Sequence, residues 1–557
     1  MLRRIAFFGV AVGLAASLAV SARADPDPAV VRTAAGSLRG QVVAGVASFK
    51  GVAFAAPPEG PLRWRAPAPV HPWPGVRGAL AYGPPCAQPA MDWNRAVAAQ
   101  SRENCLYLNV WAPVRRKGAA LPVMVFFPGG AYHGGSARGL SAIEPSYDGA
   151  RLARRGVIVV TANYRLGMFG FLAHPELTAE SPRHVSGNYA LMDNIAALTW
   201  VQANIGRFGG DPNNVTAFGQ SAGSASVGFL MTSPLAKGLF AKAIFLSNTV
   251  VDGTAGEPTL KEAEAAGAAF ARGLGAPAGG AIADLRRRPA QDLLNAVLAD
   301  PSLRKTEPRD PDVDGYVLPE QAALVFQAGR EAAIPLIVGA TARDGDFANM
   351  GVSGNPNASA AIGDAARPLA ATHKVAPLTA EGDQAVQAYY AAYPDLAGQA
   401  ARIYGDAAAT DPADGDVLTA FDTDFRMRCG AALIARWHAG VAPTWRYEFS
   451  HGYEPLGAVH LWDLLYFFGW LQPPADQPRD ARLNDQVQRY WAAFARSGDP
   501  NGVDLPTWPK SGADAAYLDF ASQGAVAKAG LRTAACDLFA RKTELDLKAV
   551  KAGQGGR

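Results

Sequence analysis

The chain has 557 residues, and its 52 Lys and Arg against 49 Asp and Glu give a formal net charge of +3. The first 24 residues contain three arginines and no acidic residue, so a chain without them has a formal charge of zero. This balance excludes the basic excess typical of nucleic-acid-binding proteins and favours a small-molecule partner.

The N-terminus has the three-part pattern of a secretory signal. Residues 1–4 form a short cationic segment, residues 5–20 form an apolar segment, and residues 22–24 form an Ala-Arg-Ala cleavage site. The apolar run is shorter than the roughly 20 residues that a membrane span needs, which favours cleavage over an anchoring helix. We therefore expect removal of residues 1–24, leaving a mature chain 25–557 that is secreted or periplasmic and has no membrane anchor.

The four cysteines are expected to form disulfide bonds, because exported proteins meet an oxidising compartment. Four cysteines allow three pairings, and their spacing does not choose among them. No C-x-x-C or H-x-x-x-H spacing indicates a metal site, so no metal is expected. The cysteines are Cys86, Cys105, Cys429 and Cys536.

Strand and helix patterns alternate along the chain after a first region of short antiparallel strands. Residues 122–127 and 157–160 are apolar runs of strand length, suited to strands buried on both faces of a parallel sheet. Residues 188–205 have helical spacing, and residues 215–218 form the next strand. This alternation predicts an α/β fold with a large, mostly parallel central sheet flanked by helices. The other predicted elements are antiparallel strands within 30–110, strands at 239–246 and 335–339, a helical cap over approximately 350–435, and a helix at 487–496.

A Gly-Gln-Ser-Ala-Gly turn at residues 219–223 directly follows the strand at 215–218. Such a G-x-S-x-G turn between a strand and a helix exposes the serine hydroxyl on a strained elbow, since its glycines lack the Cβ atoms that would collide. Ser221 is therefore the candidate nucleophile. The N–H of Ala222, at the helix start, is a candidate donor to a developing oxyanion.

Several blocks resemble those of the type-B carboxylesterase and cholinesterase-like family of α/β-hydrolases. They follow the family's order from about residue 36 to residue 536, which is nearly the whole mature chain. The resemblance implies one α/β-hydrolase domain over 25–557, with its helical cap region at approximately 350–435, and hydrolysis of carboxylic esters. The blocks include Glu103-Asn104-Cys105-Leu106-Tyr107-Leu108-Asn109-Val110, Asn163-Tyr164-Arg165-Leu166-Gly167, Phe208-Gly209-Gly210-Asp211-Pro212, the serine turn, and Asp499-Pro500-Asn501 followed by Trp508-Pro509.

A glycine loop at residues 126–131 stands where an α/β-hydrolase carries its H-G-G-G-type loop. By similarity, the oxyanion hole consists of the N–H groups of Gly130, Ala131 and Ala222. Pro128 replaces the usual His or Tyr, which alters the loop's supporting hydrogen bond and leaves the donors intact.

His460 is the candidate base, because residues 457–463 (Gly-Ala-Val-His-Leu-Trp-Asp) resemble the family's G-x-x-H-x-x-E block. His451 is the alternative. Asp344 precedes a glycine after an apolar strand, the position of the family's acid, and Asp346 is the alternative there. The resulting order of serine, acid and histidine is that of α/β-hydrolases.

The resemblance also implies framework pairs without a chemical role. By similarity, these are the ion pairs Arg63 with Glu103 and Arg165 with Asp193, and the disulfide bonds Cys86–Cys105 and Cys429–Cys536.

The substrate pocket favours a neutral or acidic substrate over a cationic one. In cholinesterases, a tryptophan in the first disulfide loop holds choline by cation–π attraction, and Trp93 lies in the corresponding loop. Those enzymes usually carry a glutamate just before the nucleophile, whereas this chain has the neutral Gln220. Tyr132, Phe347 and Trp462 are expected to add aromatic walls.

Arg304, Lys305 and Arg309 form a cationic stretch, and the resemblance implies that this region borders the acyl pocket. A solvated loop is the favoured interpretation, and contact with a substrate carboxylate is the alternative.

These features together predict a secreted esterase that forms an acyl-enzyme with a small-molecule ester. We expect it to need no metal or cofactor and to be a monomer or homodimer. One alternative is an inactive relative that acts as an adhesion or binding protein, although the chain retains Ser221, Asp344 and His460. Another is a hydrolase of amide, carbamate or lactone bonds.

Overall fold

The structure is a computed structural model in which most of the chain is described. Among its described helices, none has the length and apolarity needed to cross a bilayer. The predicted signal segment and Phe347 lie outside the described residues, and so does much of the predicted cap, so these stay predictions. The described residues are 29–91, 93–114, 118, 120–139, 147–251, 256–345, 367–368, 380–405, 411–454, 457–469, 478–512 and 514–554.

Strands and helices alternate through the middle of the chain. The strands are β1 (Val30–Arg32), β2 (Ser37–Arg39), β3 (Gln41–Val43), β4 (Val46–Ala53), β5 (Val76–Gly78), β6 (Tyr107–Pro113), β7 (Leu121–Phe127), β8 (Ile158–Ala162), β9 (Gly210–Gln220), β10 (Lys242–Leu246), β11 (Leu336–Thr341), β12 (Arg367–Pro368), β13 (Thr444–Phe449), β14 (Tyr453–Glu454), β15 (Ala516–Ala521) and β16 (Gly524–Ala529). The α-helices are Arg95–Ala98, Ala150–Ala153, Gly167–Phe171, Pro175–Glu180, Tyr189–Asn204, Ala222–Thr232, Leu260–Gly273, Ala281–Arg287, Ala290–Ala299, Pro301–Thr306, Ala322–Gln327, Ala380–Tyr390, Pro394–Tyr404, Val417–Thr423, Cys429–His438, Trp462–Phe467, Pro478–Ser497 and Thr533–Gln554.

An 11-stranded sheet organises the described part of the chain, in the order β16-β15-β13-β11-β10-β9-β7-β8-β6-β4-β3. Every neighbouring pair from β15 to β8 is parallel, and the pairs at both edges are antiparallel. The predicted large, mostly parallel sheet is confirmed. Smaller sheets pair β1-β2-β5 and β12-β14.

Both faces of this sheet are buried. Successive side chains of a strand point to opposite faces, and all seven residues of β7 are buried. Val123 and Val125 accordingly belong to one hydrophobic cluster, which includes Leu198 of the helix Tyr189–Asn204. Met124 belongs to the other cluster, with residues of the helix Pro478–Ser497. Strands covered by helices on both faces need apolar residues throughout, which explains the continuous apolar runs.

Parallel strands bring their carboxyl ends to one edge of the sheet, where open α/β folds bind ligands. β7, β9 and β11 end there, and each is followed by a segment with a predicted site residue. The glycine loop follows β7, Ser221 follows β9, and Asp344 follows β11.

Two buried ion pairs join distant segments, in the pairing that the family resemblance implies. Arg63 binds Glu103 through two nitrogen–oxygen contacts of 2.6 Å. Arg165 binds Asp193 at 2.7 and 2.8 Å, and both side chains are almost fully buried. Removing one partner would leave an uncompensated buried charge, so substitution of either member alone would destabilise the frame around the site.

The cysteines form the disulfide bonds Cys86–Cys105 and Cys429–Cys536, which close loops of 19 and 107 residues. A disulfide bond that closes a longer loop removes more conformational entropy from the unfolded chain. In the chain-entropy model, loops of these lengths raise the free energy of unfolding by about 3 and about 5 kcal/mol. We expect Cys429→Ser/Cys536→Ser to lower the urea midpoint of unfolding more than Cys86→Ser/Cys105→Ser. Equal midpoints for wild type and either double variant under non-reducing conditions would contradict this expectation.

Candidate active site

The serine turn is held in a strained conformation at the end of β9. Ser221 has φ 54° and ψ −126° and precedes the helix Ala222–Thr232. Its N–H donates to the carbonyl oxygen of Leu246 at 2.9 Å, which ties the turn to the neighbouring strand β10. A Cβ atom on Gly223 would lie 2.0 Å from the carbonyl oxygen of Phe127. The glycine is therefore required where the helix passes the glycine loop.

Asp344 and His460 meet beside this turn. A parallel bridge between Arg343 and Val459 aligns the segment after β11 with the histidine segment. Oδ1 of Asp344 is bonded to Nδ1 of His460, and Oδ2 of Asp344 accepts from the N–H of Thr341 at 2.8 Å. Because Asp344 is fully buried, these contacts fix its carboxylate toward the imidazole.

The other imidazole nitrogen faces the residue before the serine. Nε2 of His460 is 2.9 Å from Nε2 of Gln220, whose side chain is completely buried. The resemblance singled out Gln220 for its lack of charge, and this contact with His460 was not predicted.

The glycine loop packs against the serine turn with its N–H groups available. Gly130, Ala131 and Tyr132 all have positive φ, at 124°, 52° and 57°. Within the described residues, the N–H groups of Gly130, Ala131 and Ala222 donate no hydrogen bond to a backbone carbonyl group. The hydroxyl of Tyr164 donates to the carbonyl oxygen of Pro128 at 2.6 Å, so a tyrosine from another segment supports the loop.

The three aromatic residues predicted to line the pocket and described by the structure differ in burial and in their contacts. Trp93 is half-buried, and its ring lies 3.3 Å from the position that a Cβ atom of Gly130 would take. Tyr132 is buried, and its hydroxyl bonds Oγ of Ser226 at 3.0 Å. Trp462 is also buried, beside the histidine. Their roles toward a substrate stay predictions.

Asp463 is a second buried carboxyl group near the imidazole that was not predicted as a site residue. Burial, and to a smaller extent the charge of Asp344, raise the pKa of Asp463 to about 6. The hydroxyl of Tyr447, which donates to this carboxyl at 2.7 Å, acts in the opposite direction. Its Oδ1 has no hydrogen-bond partner among the described residues. The signal was present in the sequence, because Asp463 occupies the acidic position of the histidine block.

His451, the alternative base, lies in a separate buried cluster. Its Nε2 is 2.7 Å from Oδ1 of Asp480, and its Nδ1 is 3.0 Å from Oγ of Ser522. It therefore does not share the carboxylate that faces His460. The other alternative, Asp346, lies outside the described residues.

The cationic stretch borders a cavity of about 420 Å³ next to the glycine loop. Arg304 and Arg309 line this cavity with His133 and Glu307. Arg309 contacts Nε2 of His133, whose Nδ1 is 3.2 Å from the buried carboxylate of Glu307. Arg304 and Lys305 are exposed.

A larger apolar cavity, of about 890 Å³, lies elsewhere, beside the helix Tyr189–Asn204. Trp64, Met192 and Trp200 are among its lining residues. Of the predicted site residues that the structure describes, none lines this cavity. Its size therefore does not identify it as the reacting site.

The strand order and the turn after β9 define an α/β-hydrolase. The Carboxylesterase family model matches residues 27–539. The chain belongs to this family, whose members are serine carboxylic-ester hydrolases, and it is a carboxylesterase.

Named relatives agree with this assignment. The chain is 35% identical over 533 residues to fumonisin B1 esterase of Sphingopyxis macrogoltabida, covering 91% of this chain and 89% of the relative. It is 34% identical over 500 residues to para-nitrobenzyl esterase of Bacillus subtilis (strain 168), covering 86% and 92%. A solved structure of a PNB esterase matches with a TM-score of 0.74 and 30% identity, over 92% of this chain and 99% of that one.

Proposed function

We propose that this carboxylesterase is exported and hydrolyses a neutral or acidic small-molecule ester through an acyl-enzyme on Ser221. The observation that carries the proposal is the pairing of Asp344 with His460 next to the serine turn. The nucleophile Ser221 directly follows β9, and the orienting acid Asp344 follows β11. The base His460 lies just before the helix Trp462–Phe467.

In the first step, Nε2 of His460 takes the proton of Ser221 while Oγ attacks the ester carbonyl. Asp344 accepts from Nδ1–H, holds the imidazole in the required tautomer and stabilises the imidazolium that forms. The carbonyl oxygen gains negative charge within reach of N–H donors from the glycine loop and Ala222. His460 then returns the proton to the leaving alcohol.

In the second step, water attacks the acyl-enzyme and His460 again acts as base. The carboxylic acid leaves, and Ser221 recovers its proton. The overall reaction consumes one ester and one water and forms one alcohol and one acid, and every proton transfer uses His460.

Export is supported by the signal-like N-terminus and by the two disulfide bonds. Disulfide bonds persist in oxidising compartments such as the periplasm and the extracellular medium. Cleavage after Ala24 would remove residues 1–24 and leave a mature N-terminus at Asp25.

The preference against a cationic substrate is supported by the neutral Gln220, which is buried beside the reacting groups. Trp93 can attract a cation through its ring, and a negative charge at position 220 would strengthen that attraction. The neutral Gln220 does not supply this charge. Arg309, at the cavity beside the glycine loop, favours an acidic over a cationic group.

A matched pair of thioesters tests this preference. Acetylthiocholine and 3,3-dimethylbutyl thioacetate have the same shape and differ in charge. We expect kcat/KM for the neutral thioester to equal or exceed that for acetylthiocholine, because the neutral Gln220 does not compensate for the hydration that the cation loses, as a glutamate at that position would. The released thiol is measured by its colour reaction.

A preference of more than about tenfold for acetylthiocholine, worth about 1.4 kcal/mol, would contradict the proposed substrate class. Loss of both activities, together with no hydrolysis of p-nitrophenyl acetate, would contradict the esterase mechanism itself. Faster turnover of p-nitroacetanilide than of p-nitrophenyl acetate would identify an amidase.

A further inference from the structure

The carboxamide nitrogen of Gln220 contacts Nε2 of His460, the atom that must accept the proton of Ser221. We propose that Gln220 is a positioning residue that donates to Nε2 of His460 before substrate binds, keeps the imidazole neutral, and extends esterase activity to lower pH. This inference rests on the proposed function, because it assumes that Ser221 is activated through His460.

The direction of the hydrogen bond follows from the partner on the other side of the ring. The carboxylate of Asp344 can only accept, so Nδ1 of His460 carries a hydrogen. In a neutral imidazole, Nε2 then has the free lone pair. The amide nitrogen of Gln220, 2.9 Å away, is a donor and therefore fills that lone pair.

The backbone leaves this side chain little choice of position. Gln220 is the last residue of β9 and pairs in register with Leu246 of β10. Its Oε1 is buried, without a hydrogen-bond partner among the described residues. A Cβ atom on Gly129 would lie 2.3 Å from this oxygen. The carboxamide is thus enclosed between the glycine loop and His460.

A donor at Nε2 has two consequences for the base. Protonation of the imidazole would place an N–H against the amide N–H, so the contact favours the neutral form. Proton transfer also requires Oγ of Ser221 within hydrogen-bonding reach of Nε2. The bond to Gln220 must therefore be exchanged for one to Ser221 during the reaction.

Other charged groups face the imidazole, and they are the same in wild type and in the variants at residue 220. Asp344 lies on the Nδ1 side, and Asp463 lies on the following helix with Tyr447 bonded to it. The guanidinium of Arg343 lies against Gly457, three residues before the histidine. Because these groups are present in every variant, a change in the pH profile at residue 220 reports on that residue.

The test is the acidic limb of the kcat/KM–pH profile for p-nitrophenyl acetate. In Gln220→Glu, a carboxylate in the same place attracts the imidazolium, and an opposite charge at this range moves such a midpoint upward by about one to three pH units. In Gln220→Leu, the donor is lost without a new charge, and the midpoint rises by about half to one pH unit.

Gln399→Glu is the matched control, because it adds the same charge at a distant amide that contacts Arg541. Its midpoint should equal that of wild type. An unchanged acidic limb in Gln220→Leu would overturn the inference. A downward shift would also overturn it, because it would mean that Oε1 accepts from an imidazolium.

Failure of the inference is distinguishable from failure of the proposed function. If the proposed function fails, wild type shows no Ser221-dependent hydrolysis at any pH, and no profile exists to compare. If only the inference fails, wild type hydrolyses the ester and the variants share its midpoint. Should Gln220→Glu not fold, Gln220→Leu decides alone, because it introduces no buried charge.

Discussion

Ser221→Ala is expected to lower kcat for p-nitrophenyl acetate by about 10⁵- to 10⁶-fold, because loss of a serine nucleophile removes the acyl-enzyme route. The side chain of Ser221 is mostly buried at the start of a helix. The backbone N–H of this residue donates to the carbonyl oxygen of Leu246. Alanine preserves that contact, so the thermal unfolding of the variant should match that of wild type.

Ser224→Ala is the matched control for this measurement. Ser224 lies one turn further along the same helix, where its hydroxyl donates to the carbonyl oxygen of Asn248 at 2.6 Å. We expect it to retain hydrolysis and to react with a fluorophosphonate probe, which should label a peptide containing Ser221. Equal rates for wild type and Ser221→Ala would contradict the mechanism.

Asp344→Asn is expected to lower kcat by about 10⁴-fold while leaving KM nearly unchanged. An amide can donate toward Nδ1, which favours the tautomer with its hydrogen on Nε2 and prevents that atom from accepting the proton of Ser221. The imidazolium also loses its counter-charge. The measurement is steady-state hydrolysis of p-nitrophenyl acetate at the pH optimum of wild type.

Two further acidic residues make this prediction specific. Asp346→Asn should keep most of the activity, and a larger loss there than in Asp344→Asn would show that the acid is Asp346. Asp463→Asn removes a carboxyl that does not bond the imidazole directly, so its effect should be smaller than that of Asp344→Asn.

The serine turn was predictable because its cause is local. A strand, a five-residue turn and a small-residue helix determine the conformation of Ser221 within one short segment. The buried strands were predictable for a similar reason, since β7 and β11 need apolar side chains toward both faces.

Element limits were less predictable where apolar residues serve more than one purpose. The run at 239–246 was predicted as one strand, yet β10 begins at Lys242. Phe240 is buried, and the N–H of Leu239 donates to the carbonyl oxygen of Ala236 in a turn before the strand. Apolar residues that are buried just before a strand have the same composition as the strand itself, so the sequence does not separate them.

The two candidate histidines, His460 and His451, show what a sequence pattern can predict and what depends on packing. The block around His460 favoured it over His451 as the base, and the structure places His460 with Asp344 and His451 with Asp480. A sequence pattern can rank two histidines, whereas the carboxylate that each one meets depends on the neighbouring strands.

By itself, the sequence determined the fold class, the serine turn and the family, because these depend on local periodicity and on blocks of adjacent residues. Only the tertiary structure decided what faces the imidazole. Gln220 and His460 are 240 residues apart. They meet because β10 lies between β9 and β11, and the segment that follows β11 bridges to Val459. That strand order is set by packing of the whole sheet between its helices, which no short segment encodes.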